Sequence, residues 1–222
     1  MGEPGNAGAM IGLVFRDREE AGSRLAAALT DRVSGPVTIL AVPRGGVAVA
    51  VPVAKAIGAP LDVVIPRKLG APDNPELAIG AVAPGVMVLH ERAVRKLVVP
   101  REYIEQEAAR LVAEIARREA AYRGGRAPAP IAGRTVVVVD DGVATGATAV
   151  AALRWARAAG AHRVVFAAPV GPPAARAHLE PEADEVVILV EPLRFLAVGE
   201  WYQDFDQVSD DEVVARLREA GR

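Results

Sequence analysis

The chain has 222 residues, half of them apolar (51%), and a formal net charge of −2, so it can bury a substantial core and has no general electrostatic pull toward nucleic acid or acidic membranes. It contains no cysteine, which excludes disulfide staples and thiolate metal sites, and its three histidines (His90, His162, His178) fall at no metal-ligand spacing. Any metal is therefore expected to be a hard cation held by oxygens.

Residues 1–10, rich in Gly and Ala, read as a flexible tail ahead of one domain over 11–222. No stretch approaches the roughly 20 apolar residues of a membrane span and no signal-peptide pattern is visible, so a cytoplasmic protein is expected. Asp17 is placed to cap a first helix running to Asp31, with Leu25 and Leu29 on one face. Five short Val/Ile-rich runs follow, at 37–42, 61–65, 136–140, 163–170 and 184–190. They are nearly continuous rather than alternating, as in strands covered on both faces. Helical stretches at 47–57, 148–159 and 172–180 lie between them. This rhythm predicts an α/β fold with a mostly parallel, twisted sheet flanked by helices.

Two regions interrupt it. The stretch 66–80, "PRKLGAPDNPELAIG", is rich in Pro, Gly and charge and is expected to be a long mobile loop, leading into a hairpin turned at Ala83-Pro84-Gly85. Residues 100–123 predict a long helix opened by Pro100, with Ile104, Ala108, Leu111 and Ile115 as its apolar stripe and Glu107 facing Arg110. "GGRAPAP" (124–130) is a linker back to the sheet. Near the end, Ser209 and Glu212 have the spacing of a capping box.

The most informative stretch is 134–150, "RTVVVVDDGVATGATAV". A buried strand delivers Asp140 and Asp141 to its carboxyl end, and the chain then turns through small residues into a helix. In open α/β sheets ligands bind at such strand ends. Gly142 and Gly146 permit a tight turn with inward N–H groups, and Thr145 and Thr148 add hydroxyls, together a nest for a phosphate at the positive end of a helix. A phosphate would repel the acids, so they suit another part of the same ligand. Vicinal hydroxyls of a ribose are the natural partner. No GxGxxG follows a strand, and no GK[ST] is present, so neither a dinucleotide nor a Walker site is expected.

In order and spacing, "VVVVDDGVATGAT" resembles the phosphoribosyl-pyrophosphate (PRPP) signature of type I phosphoribosyltransferases, most closely their uncharacterised branch. The resemblance runs from about Phe15 to the C-terminus. It implies a parallel-sheet core with a flexible catalytic loop or hairpin insertion and a C-terminal hood, here 191–208. It implies an Mg2+-dependent enzyme that transfers ribose 5-phosphate from PRPP to a small nitrogenous acceptor, a nucleobase in the family pattern, with release of pyrophosphate; a homodimer is the family-level expectation. Asp140 and Asp141 would hold the ribose, with either one reaching the metal through water and no direct metal ligand assigned. Gly142, Val143, Ala144, Thr145, Gly146, Ala147 and Thr148 would bind the 5-phosphate. In "AVPRGG", Arg44, Gly45 and Gly46 would meet pyrophosphate, joined by Arg67 and Lys68 from the loop.

The aromatics of 191–208 leave two readings open. Phe195, Trp201 and Tyr202 either stack on the acceptor, with Glu200 or Asp204 accepting from exocyclic amines, or seal the end of the core. One departure stands out. Some purine-using relatives carry an acid where this chain has Ala144, which lowers the expectation of a 6-oxopurine. A non-catalytic PRPP- or nucleotide-sensing protein is the alternative. An ordinary phosphosugar enzyme would leave the paired acids unexplained.

Overall fold

The computed structural model describes residues 15–220; the expected tail over 1–10 lies outside them. In chain order the elements are helix α1 (Arg18–Thr30), strand β1 (Val37–Ala41), α2 (Gly45–Ile57), β2 (Leu61–Val63), β3 (Arg67–Ala71), β4 (Asn74–Ala83), β5 (Val86–Leu89), α3 (Glu91–Lys96) and α4 (Arg101–Arg123). They continue with β6 (Thr135–Val139), α5 (Ala147–Ala158), β7 (Arg163–Val170), α6 (Pro173–Leu179), β8 (Glu185–Val190), a 3-10 turn (Val198–Trp201) and α7 (Asp210–Ala220).

Five strands form a parallel sheet in the order β2-β1-β6-β7-β8. Side chains leave a strand alternately to its two faces, and both faces are covered. Ile39 and Ala41 of β1, with Val137 and Val139 of β6, join the core formed with α1, α2, α4 and α7. Their neighbours Leu40, Val136 and Val138 join the core formed with α5 and α6 on the other side. That two-sided burial is why the valine runs do not alternate with polar residues.

Local chemistry sets the helix ends. The Asp17 carboxylate accepts the Glu20 N–H at 2.8 Å and starts α1. Ser209 and Glu212 exchange reciprocal bonds ahead of α7: the Ser209 N–H donates to Glu212 Oε2 at 2.7 Å, and the Glu212 N–H to Ser209 Oγ at 3.2 Å. Gly124 ends α4 in the left-handed region, at φ 56°. Ile104, Leu111 and Ile115 of α4 are buried, and Arg110 Nε donates to Glu107 at 2.8 Å.

The stretch 66–80 departs from expectation. It is not a loop: β3, a short turn and most of β4 occupy it, and with β5 they form a separate antiparallel sheet ordered β3-β4-β5. Its Pro and Gly residues serve the hairpin. Pro72 sits in the turn between β3 and β4, and the β3–β4 register shifts on either side of Gly70. A Cβ on Gly70 would lie 2.7 Å from the Pro75 Cα, so the bulge requires glycine. The expected hairpin turn at Pro84-Gly85 is present, with Gly85 at φ 74°. Among the described residues no helix is long and apolar enough to cross a membrane.

Candidate active site

The parallel sheet runs outward in opposite directions from β1 and β6, so the crevice between their carboxyl ends is the topological switch point of the fold. Two turns meet there: 42–46, between β1 and α2, and 140–146, between β6 and α5. The Val42 N–H donates to the Val139 carbonyl at 2.8 Å, extending the pairing to the start of both turns. Their approach is close enough to dictate sequence. A Cβ on Gly46 would stand 2.8 Å from the Val139 carbonyl oxygen and 3.0 Å from the Asp140 Cα. A Cβ on Gly45 would fall inside the Asp141 carboxylate. The glycines of one motif are thus required by the acids of the other.

The two acids are held differently. Asp140 is half-buried, and its Oδ1 accepts the Asp141 N–H at 2.8 Å. Burial pushes the Asp140 carboxyl well above the usual carboxylate range, and the neighbouring Asp141 charge pushes it further. Asp141 is gripped from two sides. Its Oδ2 accepts from Arg18 Nε at 2.8 Å, with the two side chains 15% and 12% exposed. Its main-chain carbonyl accepts the Tyr202 hydroxyl at 2.5 Å. Each carboxylate therefore has one oxygen tied by a protein donor. Among the described residues no N–H, hydroxyl or cation donates to Asp140 Oδ2 or Asp141 Oδ1.

Both turns open helices that carry no side-chain cap. Arg44 occupies the N-cap position of α2, exposed and without a capping bond. Gly146 occupies that of α5 in the left-handed region, at φ 83°. Such N-termini present N–H groups and the positive end of a helix dipole to an anion. In the second turn Gly142, Val143 and Gly146 are buried, Ala144 and Thr145 exposed, and Ala147 and Thr148 in between. The Val143 N–H donates to the Val170 carbonyl at 2.9 Å, anchoring the turn to β7. The Pro43–Arg44 peptide bond is cis.

The remaining expected residues scatter. Arg67, at the start of β3, pairs with Glu114 of α4 at 3.0 Å rather than with either turn. Lys68 beside it is exposed. In 191–208 the three named aromatics separate. Tyr202, 6% exposed, packs between Phe15 (centroids 5.5 Å apart) and Phe205 (5.1 Å). It offers no open face to a base, and burial together with Asp141 lifts its hydroxyl far above the ordinary tyrosine value. For Tyr202 the sealing role replaces the stacking one. Phe195 and Trp201 stay half-buried against the same small cluster, and the Trp201 indole N–H is buried without an acceptor. Val198 covers the second turn from this segment, because a Cβ on Gly142 would collide with it.

Arg18 was missed by sequence reasoning. It lies 123 positions from the acid it holds, on a helix whose pattern announces only a cap and an apolar face. No local signal connects the two. Among the described residues no group of three or more His, Asp or Glu side chains gathers as a metal site.

A family model described as a phosphoribosyl transferase domain matches residues 16–200. Two Mycobacterium tuberculosis proteins, from strains CDC 1551 / Oshkosh and H37Rv, bear the provisional name phosphoribosyl transferase. Each is 48% identical to this chain over 210 residues, covering 94% of this chain and 47% of the relative. The chain thus spans about half the length of these curated relatives. A crystal structure of a Thermus thermophilus protein, 48% identical, superposes with a TM-score of 0.81 over 93% of this chain and 98% of that one. A Neisseria gonorrhoeae protein solved with bound ppGpp is 17% identical, with a TM-score of 0.52 over 97% of this chain and 100% of its own, a likeness of fold alone.

Proposed function

The chain belongs to the phosphoribosyl transferase domain family, and on that footing we propose that it transfers ribose 5-phosphate from PRPP to a nitrogenous acceptor, a nucleobase in the simplest case, and releases pyrophosphate. The observation that carries this reading is the acid pair at the switch point: two adjacent carboxylates, each with one oxygen tied and one without a protein donor, between two uncapped helix N-termini. A vicinal diol needs two such acceptors, and an ester phosphate and a pyrophosphate need the two N-termini on either side.

In this reading Asp140 Oδ2 and Asp141 Oδ1 accept from the ribose 2- and 3-hydroxyls. The 5-phosphate rests in the turn from Gly142 to Thr148, with the Thr145 and Thr148 hydroxyls as added donors. Pyrophosphate lies along Arg44, Gly45 and Gly46, where the missing Cβ atoms admit it to the main-chain N–H groups. Arg67 and Lys68 reach it by exchanging the Glu114 partnership of Arg67 for the more highly charged ligand. The bond from C1 to pyrophosphate loosens as the acceptor nitrogen approaches, and positive charge gathers on the ribose ring beside the two carboxylates. Catalysis is therefore positional and electrostatic. Phe195 and Trp201 flank the acceptor side.

The donor set suits a hard cation. With no group of three acids gathered among the described residues, Asp140 or Asp141 would hold Mg2+ through water, and the ligand's own oxygens would supply the rest. When bound, the ion would neutralise charge on the departing pyrophosphate.

The test is a pyrophosphate-release assay with PRPP and Mg2+ over a panel of nucleobases and related amines. Wild type should release pyrophosphate with at least one acceptor, and Asp140→Asn with Asp141→Asn should release none while unfolding at a similar urea concentration. PRPP binding by calorimetry without turnover across the panel would overturn the enzyme in favour of a sensor. A fully active double variant would remove the role given to the acids.

A further inference from the structure

Asp141 is the better-fixed member of the acid pair, and what fixes it lies outside both sequence motifs. Arg18 is the first residue of α1, and α1 is tied to the segment that follows β8 by a parallel bridge. There the Phe15 N–H donates to the Trp201 carbonyl at 2.8 Å and the Gln203 N–H to the Phe15 carbonyl at 2.8 Å. This bridge delivers the Arg18 guanidinium to Asp141 on the side of the first turn, where a Cβ on Gly45 would lie 2.9 Å from Arg18 Nε.

The guanidinium is engaged both at its edge and on its face. Nε donates to Asp141 Oδ2 at 2.8 Å, NH1 donates to the Asp206 carbonyl at 2.8 Å, and its central carbon lies 3.8 Å from the Phe205 ring centroid and 5.9 Å from that of Tyr202. Tyr202 in turn donates to the Asp141 main chain. One cation thus joins the acid pair to the covering segment, at a nearly buried position where a planar, permanently charged group stacks and donates together.

We infer that Arg18 is a positioning residue for the acid pair: by occupying Asp141 Oδ2 from the side of Gly45, it turns Oδ1 toward the ligand and compensates the second of two adjacent negative charges. This inference rests on the phosphoribosyl reading, since it is the ribose that the turned oxygen serves. Without Arg18 two neighbouring carboxylates share a partly buried site with no cation bonded to either, and the Asp141 side chain is free to rotate away.

Three variants separate positioning from packing. Arg18→Met keeps an apolar stem beside Phe205 and removes the charge; Arg18→Lys restores a charge without the fork; Phe205→Leu removes the stacked ring and keeps Arg18. Calorimetric PRPP titrations in Mg2+ should show Arg18→Met weakened about tenfold or more, roughly the loss of one charge-assisted hydrogen bond. Arg18→Lys should recover most of that loss, and Phe205→Leu should stay within about threefold of wild type at a lower melting temperature. Wild-type affinity in Arg18→Met, or an equal loss in Phe205→Leu with no rescue by lysine, would overturn the inference and leave Arg18 a packing residue. Failure of wild type to bind PRPP would instead break the phosphoribosyl reading; a crystal structure of Arg18→Met then still decides whether Arg18 fixes the pair, an unmoved Asp141 carboxylate refuting it.

Discussion

The two turns at the sheet's carboxyl edge and the antiparallel sheet β3–β5 carry the two halves of the expected site, and they are built on opposite plans. At the turns, glycine main chain is closely covered: Gly46 lies against the β6 backbone, Gly45 against the Asp141 carboxylate, Gly142 under the Val198 side chain, and Asp141 is held by Arg18 and Tyr202 at once. In the antiparallel sheet the chemically interesting groups stand on the surface. Lys68 is exposed, and Arg67 is partly exposed and committed to an ion pair with Glu114. Groups that must define a geometry are fixed by contacts that cannot yield. In the proposed reading, Arg67, which is to meet a highly charged ligand, is held by a contact that a stronger anion can replace.

The largest effect should come from breaking the first plan. Gly45→Ala drives a methyl into the Asp141 carboxylate, so PRPP binding should fall below detection by calorimetry, with about 1–3 kcal/mol lost in urea unfolding from overpacking. The matching change on the other side, Gly85→Ala, has open space around it and costs only its left-handed backbone, about 1 kcal/mol, with PRPP affinity unchanged.

Next in size is Tyr202→Phe, which strips the donor from the Asp141 carbonyl and leaves that oxygen under-satisfied beside the core. About 1–2 kcal/mol of stability should go, read by chemical denaturation, with a smaller loss of PRPP affinity than in Arg18→Met. For the second plan the sign matters more than the size. Arg67→Ala should weaken PRPP about tenfold, whereas Glu114→Gln, which releases Arg67, should leave affinity equal or higher and change stability by less than about 1 kcal/mol. Weaker PRPP binding in Glu114→Gln would mean that the pair organises Arg67 rather than parking it.

The smallest effect lies at Glu119 of α4, beside Arg123 and Asp62. Glu119 is buried, its Oε1 has no hydrogen-bond partner, and burial raises its carboxyl in spite of Arg123. A carboxyl raised on folding adds stability below the ordinary carboxylate pKa and loses it as pH rises through the folded value. Glu119→Gln should therefore match wild type near pH 4 and exceed it at pH 7 by about 1 kcal/mol or less, as measured by melting at the two pH values.

The sequence alone carried every strand of the parallel sheet, the caps at Asp17 and Ser209, and the turn with its two acids, because periodicity, capping oxygens and glycine placement act over a few residues. Tertiary structure decided the rest. Pro72, Gly70 and Pro75 speak locally for a loop, and only pairing with β4 and β5 makes them a turn and a bulge. Tyr202 is an aromatic that suits a base equally well until Phe15 and Phe205 close over it. Arg18 looks like any charge in the first turn of a helix until the parallel bridge at Phe15 sets it against Asp141. A pattern along the chain records which side of an element is covered; it holds no record of what covers it, and a site assembled from residues 18, 45, 141 and 202 consists of such coverings.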